Sequence, residues 1–407
     1  MTAAAAADNH VRLSRSQLGL VYLSGSFGFG FQQMAAFLLP LRAHELNAPL
    51  DQIGLIVGAG AIVPALLSVW SGELADRFGA RRTYIVGTLV AAISGLLLFP
   101  VTNYWLLLPI QLVMGFARST AWIASQTYVA NIGAPEERAK HMGRLSFTTN
   151  GGTIVAPLLI GQVANMVGYQ WSFAFMGGVT LLYTLMGLLM PEVRVPRTTK
   201  ERGKAGGLEA AIELTRKRGV QVVLLLTFVR LWNGSGWRPF IPIFLREAGF
   251  DNTLISSVLA ANSIVSTFTS LGANWLAKRS SNEVATAVAL GLGAIGTGLS
   301  PFVAFVPAVY LPALLIGTGV GVSLPLLMAT VSSEVPADQR GVALGMRMSM
   351  NQAAGTLAPV SVGAVAEPFG IAAALVASAA FSLVVLGASM GLYARRDRTM
   401  AHPGEES

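Results

Sequence analysis

The chain has 407 residues, of which 53% are apolar and only 12% charged, and its formal net charge is +8. Soluble domains carry about a quarter charged residues, so a water-facing surface for a chain of this length is excluded. Zero cysteines exclude disulfides, thiolate metal sites and thiol catalysis.

Residues 1–16 read as a short tail with five consecutive alanines and without the apolar core of a signal peptide. From there on, the chain is a succession of apolar stretches, each near the ~20 residues that cross a bilayer core. The first two cover 17–42 and 52–75, and Gln32 and Gln33 interrupt the first. The connection that follows reads Gly72-Glu73-Leu74-Ala75-Asp76-Arg77-Phe78-Gly79-Ala80-Arg81-Arg82. Segments 83–101 and 104–130 come next, and helical spacing puts Gln111, Arg118, Trp122 and Ser125 of the latter on one face. Segment 144–167 contains Gly152-Thr-Ile-Val-Ala156-Pro157-Leu-Leu-Ile160-Gly161, and 171–190 closes the first half.

A basic linker, 191–218, leads into the second half; within it Leu208–Leu214 reads either as a short surface helix or as a solvated tether. In segment 219–245, Arg230 and Arg238 flank Trp232-Asn233-Gly234-Ser235-Gly236-Trp237, and the two glycines are expected to let the helix break. Segment 253–277 repeats Asn262, Ser266, Ser270 and Asn274 every four residues. Segments 284–303, 306–332, 343–366 (with Asn351 and Gln352) and 370–394 follow, then a tail, 395–407. The fold class is therefore an all-α polytopic membrane protein with 12 transmembrane helices.

Lys and Arg gather at the two ends and in the connections after even-numbered segments, whereas the odd-numbered connections hold only Arg42 and Arg246. Basic loops stay cytoplasmic, which places both termini and the linker inside, in a cell inner membrane. The positive charge thus reports topology; a nucleic-acid partner would need a basic folded domain, for which there is no room. The four histidines, His10, His44, His141 and His402, lie scattered in tails and loops and offer no metal cluster, and no cofactor motif is present.

Sliding the sequence on itself gives one dominant register, an offset of 202 residues. Pro40 meets Pro242, Glu45 meets Glu247, Leu74-Ala75 meets Leu276-Ala277, Gly115 meets Gly317, Arg138 meets Arg340 and Ala156-Pro157 meets Ala358-Pro359, all without a gap. Residues 17–190 and 219–394 are two homologous six-helix halves, the plan of transporters built from parallel repeats.

The 72–82 stretch resembles the signature of the major facilitator superfamily: Gly, three residues, Asp-Arg, one residue, Gly and a basic pair. With the repeat and the twelve segments, the resemblance covers essentially the whole chain. It implies that Gly72, Asp76, Arg77, Gly79, Arg81 and Arg82 form a conformational latch, Asp76 facing the helix N-terminus near Gly341–Gly345, where unpaired N–H groups attract an acid. A plain topology anchor is the alternative, but an anchor has no use for the acid or the glycines. The Gly152–Gly161 stretch is similar to the antiporter signature of exporters, with Ala156 and Ile160 in place of two glycines. Gly152, Pro157 and Gly161 serve close helix packing in either case. Exporters usually carry Arg where this chain has Gln111.

Charged groups inside a bilayer are functional hypotheses by default. The resemblance lines the central cavity with segments 1, 4, 7 and 10, which makes Gln32, Gln33, Arg118, Trp122, Arg230, Trp232, Asn233, Trp237 and Arg238 candidates for solute binding. Arginines in carbonyl contacts, or snorkelling outward, are the competing reading. No Asp or Glu lies near the middle of a segment, so the arginines favour an anionic or dipolar solute. Glu73 is the remaining proton carrier. The expectation is a monomeric secondary transporter of a small organic solute working by alternating access, with export by proton antiport ahead of import of an organic anion. A non-transporting sensor is the remote alternative. An enzyme would need a cluster of catalytic side chains at one depth, and an ATP-driven pump a phosphate loop; neither is present.

Overall fold

The computed structural model describes residues 13–132, 137–193, 207–336 and 339–401. Among the described residues twelve α-helices follow one another: α1 (Arg15–Gly25), α2 (Phe27–Glu45), α3 (Leu50–Phe78), α4 (Ala80–Leu98), α5 (Leu107–Ala130), α6 (Arg138–Leu189), α7 (Gly207–Arg216), α8 (Arg218–Glu247), α9 (Asn252–Ala277), α10 (Asn282–Leu299), α11 (Tyr310–Glu334) and α12 (Arg340–Ala401). Helices and membrane spans do not correspond one to one. The first expected segment is divided at Ser26 into α1 and α2. At a rise of about 1.5 Å per residue, the 52 residues of α6 and the 62 of α12 are too long for one crossing. Each bends at one residue, Gly168 (φ 77°) and Gly370 (φ 84°), where the left-handed backbone suits glycine. Among the described residues, eight helices are long and apolar enough to cross a membrane, α6 and α12 among them. With two spans in each of those, and with α1–α2 and α8 at the places of the first and seventh expected segments, the helices account for the twelve expected spans.

Two compact units emerge, one comprising Met1–Asn47 with Ala59–Thr198 and the other Ala48–Gly58 with Thr199–Ser407. The first turns of α3 group with the second of these units. A Cβ on Gly54 would stand 2.3 Å from the Pro359 carbonyl oxygen, and one on Gly58 2.8 Å from that of Thr356, so glycine seats this end of α3 directly on α12 of the second unit.

In the first unit Phe27 of α2 packs against Phe31, Tyr84 and Tyr183, with ring centroids 5.4, 6.3 and 5.6 Å away. The buried Tyr84 hydroxyl donates to the Ser24 carbonyl at 3.0 Å, which spares it an unmet hydrogen bond. His141, expected in a loop, is instead buried near the start of α6, its Nδ1 2.5 Å from the Tyr22 hydroxyl. In the second unit Val222, Leu226 and Val229 of α8 share a core with Leu327 and Val331 of α11, Ala343 and Leu386 of α12, and Leu214 of α7. The linker segment is thus a helix that docks by Leu214, while Ile212 stays exposed.

The 202-residue register recurs as geometry. A Cβ on Gly115 would lie 2.4 Å from the Gly60 oxygen, and one on Gly317 2.6 Å from the oxygen of Asn262, the residue that repeats Gly60. Likewise Gly87 abuts the Ala117 oxygen, and Gly319 abuts that of Ala289, the same pair with the glycine on the other helix. The two kink glycines are repeats of one another, as are Asn47 (φ 58°) and Gly249 (φ 88°), which end α2 and α8. Gly79 (φ 89°) has no such twin, because Ser281 takes its place and caps α10 by accepting from the Val284 N–H.

Candidate functional site

Each unit carries some of the arginines expected in the site. In the first, Arg118 sits halfway along α5, where its Nη1 donates to Oε1 of Gln32 on α2 at 3.2 Å. The close seating of Gly115 on α3 fixes the helix that presents it. Trp122, one turn on, meets Phe29 edge to face at 5.0 Å and lies over Gly28, where a Cβ would come within 2.8 Å of its ring. Gln32, Arg118 and Trp122 are therefore brought together. Gln33, a helical step of 100° round from Gln32, is buried. Gln111 lies over Gly60, with its side-chain oxygen unpartnered.

In the second unit α8 runs unbroken from Arg218 to Glu247, which corrects the expected break at Gly234 and Gly236. The reason is packing. A Cβ on Gly236 would stand 3.2 Å from Val362, so this glycine lets α12 come close. The neighbouring polar groups clamp the helix in place. Asn233 donates to the Leu290 carbonyl at 3.2 Å and accepts from the Ser382 hydroxyl at 2.6 Å. Trp232 Nε1 donates to Ser378 at 3.0 Å, and fully buried Trp237 donates to Ser300 at 2.9 Å. The polar groups of Trp232, Asn233 and Trp237 are thus spent on α10, α12 and the residue after α10. Arg238 Nη2 donates to Asn262 Oδ1 at 3.1 Å, and that amide donates onward to the Ala313 carbonyl of α11.

Arg230 is different: its Nε is buried without a hydrogen-bond partner. So are Nε and Nη1 of Arg347, on the first half of α12, a residue only 6% exposed. In sequence Arg347 reads as one more basic residue beside the Arg340 connection. The one available signal was its place two helical turns on from Arg340, inside the apolar segment 343–366.

In the signature stretch, Gly72 and the Asp76 side chain lie outside the described residues. Gly79 turns the chain into α4, and exposed Arg77 lies over the Phe78 ring at 5.4 Å. Arg81 has a role that spacing alone did not reveal. Its Nε and Nη2 donate to the carbonyls of Gly187 and Leu188 at 3.2 and 2.6 Å, closing the end of α6, where unpaired carbonyls attract a cation. Arg82 pairs with Glu192 at 3.5 Å on the surface. Glu73 stands exposed. Gly152 packs α6 on Ser26, whose oxygen would lie 2.7 Å from an added Cβ, while Pro157 and Gly161 are buried. Beside them lies a cavity of 320 Å³, lined mainly by apolar groups such as Leu23, Phe31, Met34 and Val155, with Tyr183 and Ser26 hydrogen-bonded at its wall. Among the described residues no three His, Asp or Glu side chains gather as a metal site.

Comparison with known proteins places this geometry. The profile of the Major Facilitator Superfamily matches residues 21–359. The tetracycline resistance protein, class B, of Escherichia coli is 23% identical over 333 residues, 79% of this chain and 82% of that protein. The quinolone resistance protein NorA of Staphylococcus aureus is 24% identical over 153 residues, 38% of this chain and 39% of NorA. Among solved structures, the nucleoside transporter NupG aligns with a TM-score of 0.78 at 15% identity, over 93% of this chain and 99% of that one. A bacterial homolog of the human lysosomal transporter Spinster aligns with a TM-score of 0.77 at 15% identity, over 96% and 98%. At such identities the structural likeness is one of fold alone. The family profile covers most of the chain and agrees with the duplicated bundle, and the protein is therefore a multi-pass membrane transporter, not an enzyme, and belongs to the Major Facilitator Superfamily.

Proposed function

We propose that the protein is a monomeric exporter of a small organic solute bearing a negative charge or a strong dipole, working by alternating access and proton antiport in a cell inner membrane with both termini cytoplasmic. The observation that carries this reading is the set of arginines on the spans. Arg118 and Arg230 sit mid-helix, and among the described residues neither is in an ion pair. An arginine in a membrane span is costly, and a solute anion arriving in the site offsets that cost. Arg118, with Gln32 and Trp122, offers a guanidinium fork, an amide and an aromatic edge in the first unit; Arg230 and Arg238 serve in the second. Trp232, Asn233 and Trp237 act by holding α8 in place, and buried Gln33 by packing α2. Export is supported by the relatives named for resistance to tetracycline and quinolones.

Asp76, with Gly72, Arg77, Gly79, Arg81 and Arg82, supplies the latch in this account, and Glu73 is the carboxylate available to carry the proton. The test is accumulation of labelled organic anions by everted membrane vesicles, with and without a pH gradient. Accumulation that collapses with the gradient is the expected result. Accumulation indifferent to the gradient defeats the antiport; uptake only in right-side-out vesicles means import; no flux in either makes the protein a sensor.

A further inference from the structure

Arg230 of α8 and Arg347 of α12 both belong to the second unit, and both have guanidinium nitrogens buried without a partner. Their helices are packed together at this level. Val229, next to Arg230, shares a buried cluster with Ala343 of α12, flanked by Met346 and Met350 on either side of Arg347. The charges of Arg347 and Arg238 both act on Arg230. Among the described residues neither Arg230 nor Arg347 is in an ion pair with a carboxylate. One turn beyond Arg347, and on the same face, Asn351 has a side-chain oxygen that is also buried and unpartnered.

Like charges brought together in a poorly hydrated place oppose folding unless something between them compensates, and an unmet buried donor is costly even when neutral. Hydrophobic packing alone would favour another residue at position 347. A guanidinium presents its N–H groups as a rigid fork that matches the two oxygens of a carboxylate or phosphate. We infer that Arg230 and Arg347 form a two-arginine clamp for the oxyanion of the transported solute, a carboxylate or phosphate group, with the Asn351 oxygen accepting from a neighbouring O–H or N–H of the same molecule. Arg347 is thereby a specificity-determining residue, and the substrate class narrows from anionic or dipolar to organic acids and phosphate esters. The inference rests on the proposed reading of the cargo as an anion.

The same chemistry is found on a lipid headgroup, and the experiment separates the two sources. Full-length protein is placed in nanodiscs of pure phosphatidylcholine and melted with inorganic phosphate, with succinate, or with neither. A second set of discs contains phosphatidylglycerol without soluble anion. Wild type, Arg347→Gln, Arg347→Lys and Arg230→Gln are compared. A soluble probe that raises the melting temperature of wild type, with at least tenfold weaker binding in Arg347→Gln and Arg230→Gln, establishes the clamp for a solute. Arg347→Lys keeps the charge and most of the stem, so it is expected to melt like wild type without probe while binding several-fold more weakly. Stabilisation that depends on Arg347 and appears only with phosphatidylglycerol makes the clamp a headgroup site and overturns its assignment to the cargo. Equal stabilisation of wild type and Arg347→Gln overturns the clamp itself. If anion export depends on Arg118 yet the probes ignore Arg347, the clamp alone fails. If the probes need Arg347 yet only cations are exported, the reading of the cargo fails instead.

Discussion

Arg118, Arg230, Arg238 and Arg347 lie inside apolar helices of this protein, and the structure sorts these by what their nitrogens touch. Arg118 donates to Gln32 and Arg238 to Asn262, while Arg230 and Arg347 keep buried nitrogens without partners. Placing an arginine at a bilayer centre costs about 2.5–3.5 kcal/mol on insertion scales, so each needs a return in function or in packing. For Arg118 the expected return is solute contact: Arg118→Gln should leave expression and melting temperature near wild type and lower kcat/KM for an anionic solute at least tenfold, read by vesicle uptake. Asn233 belongs to the other class, because both ends of its amide are engaged with α10 and α12. Asn233→Leu strands the Ser382 hydroxyl and the Leu290 carbonyl and should cost about 1–3 kcal/mol, seen as a lower melting temperature with an unchanged KM. Arg118, Arg230 and Arg238 were legible in the sequence as charges in apolar runs. Arg347 was not, because its nearness to Arg340 made it look like part of a basic connection, and depth along a helix is a property of the folded bundle.

At the level of helices, glycine does two different jobs here, and sequence alone confused them. The pair Gly234 and Gly236 looked like a break, yet α8 is continuous and Gly236 sits where α12 comes near. The actual bends are at Gly168 and Gly370, where φ is positive and no neighbour lies within 4 Å of an added Cβ. Alanine at either kink is therefore strained by backbone alone, about 1–2 kcal/mol, and Gly168→Ala and Gly370→Ala should lower stability by similar amounts because they repeat one another. Gly115 is the opposite case. Its φ is ordinary, but a methyl group would collide with the Gly60 carbonyl, and Gly115→Ala should cost about 1–3 kcal/mol by forcing α5 from α3. Since α5 carries Arg118, that variant should also raise KM, whereas the kink variants should not; thermal melts and uptake kinetics on the same preparations separate the two. The linker helix α7 was half legible. Its sequence read equally as a surface helix or a solvated tether, and whether Leu214 met lipid, water or the protein core depended on how it packs with α8 and α12.

For the molecule as a whole, the duplication was the most readable feature. One ungapped offset in the sequence returns as matched close approaches, Gly60 with Gly115 and Asn262 with Gly317, and as matched kinks. That regularity is why the family could be reached from residues: a twelve-span bundle writes its spacing into almost every stretch of the chain. Function is written in far fewer places, and a shared fold hosts many cargoes, so the arginines and the resistance-named relatives have to carry the claim of anion export together. The most direct test is counterflow in proteoliposomes preloaded with a panel of organic acids, phosphate esters and organic cations, run on wild type and on the Arg118→Gln, Arg230→Gln double variant. The account predicts exchange of at least one acid or phosphate ester by wild type, lost in a double variant that still folds. Exchange confined to cations, or anion exchange that persists at the wild-type rate in the double variant, would contradict it.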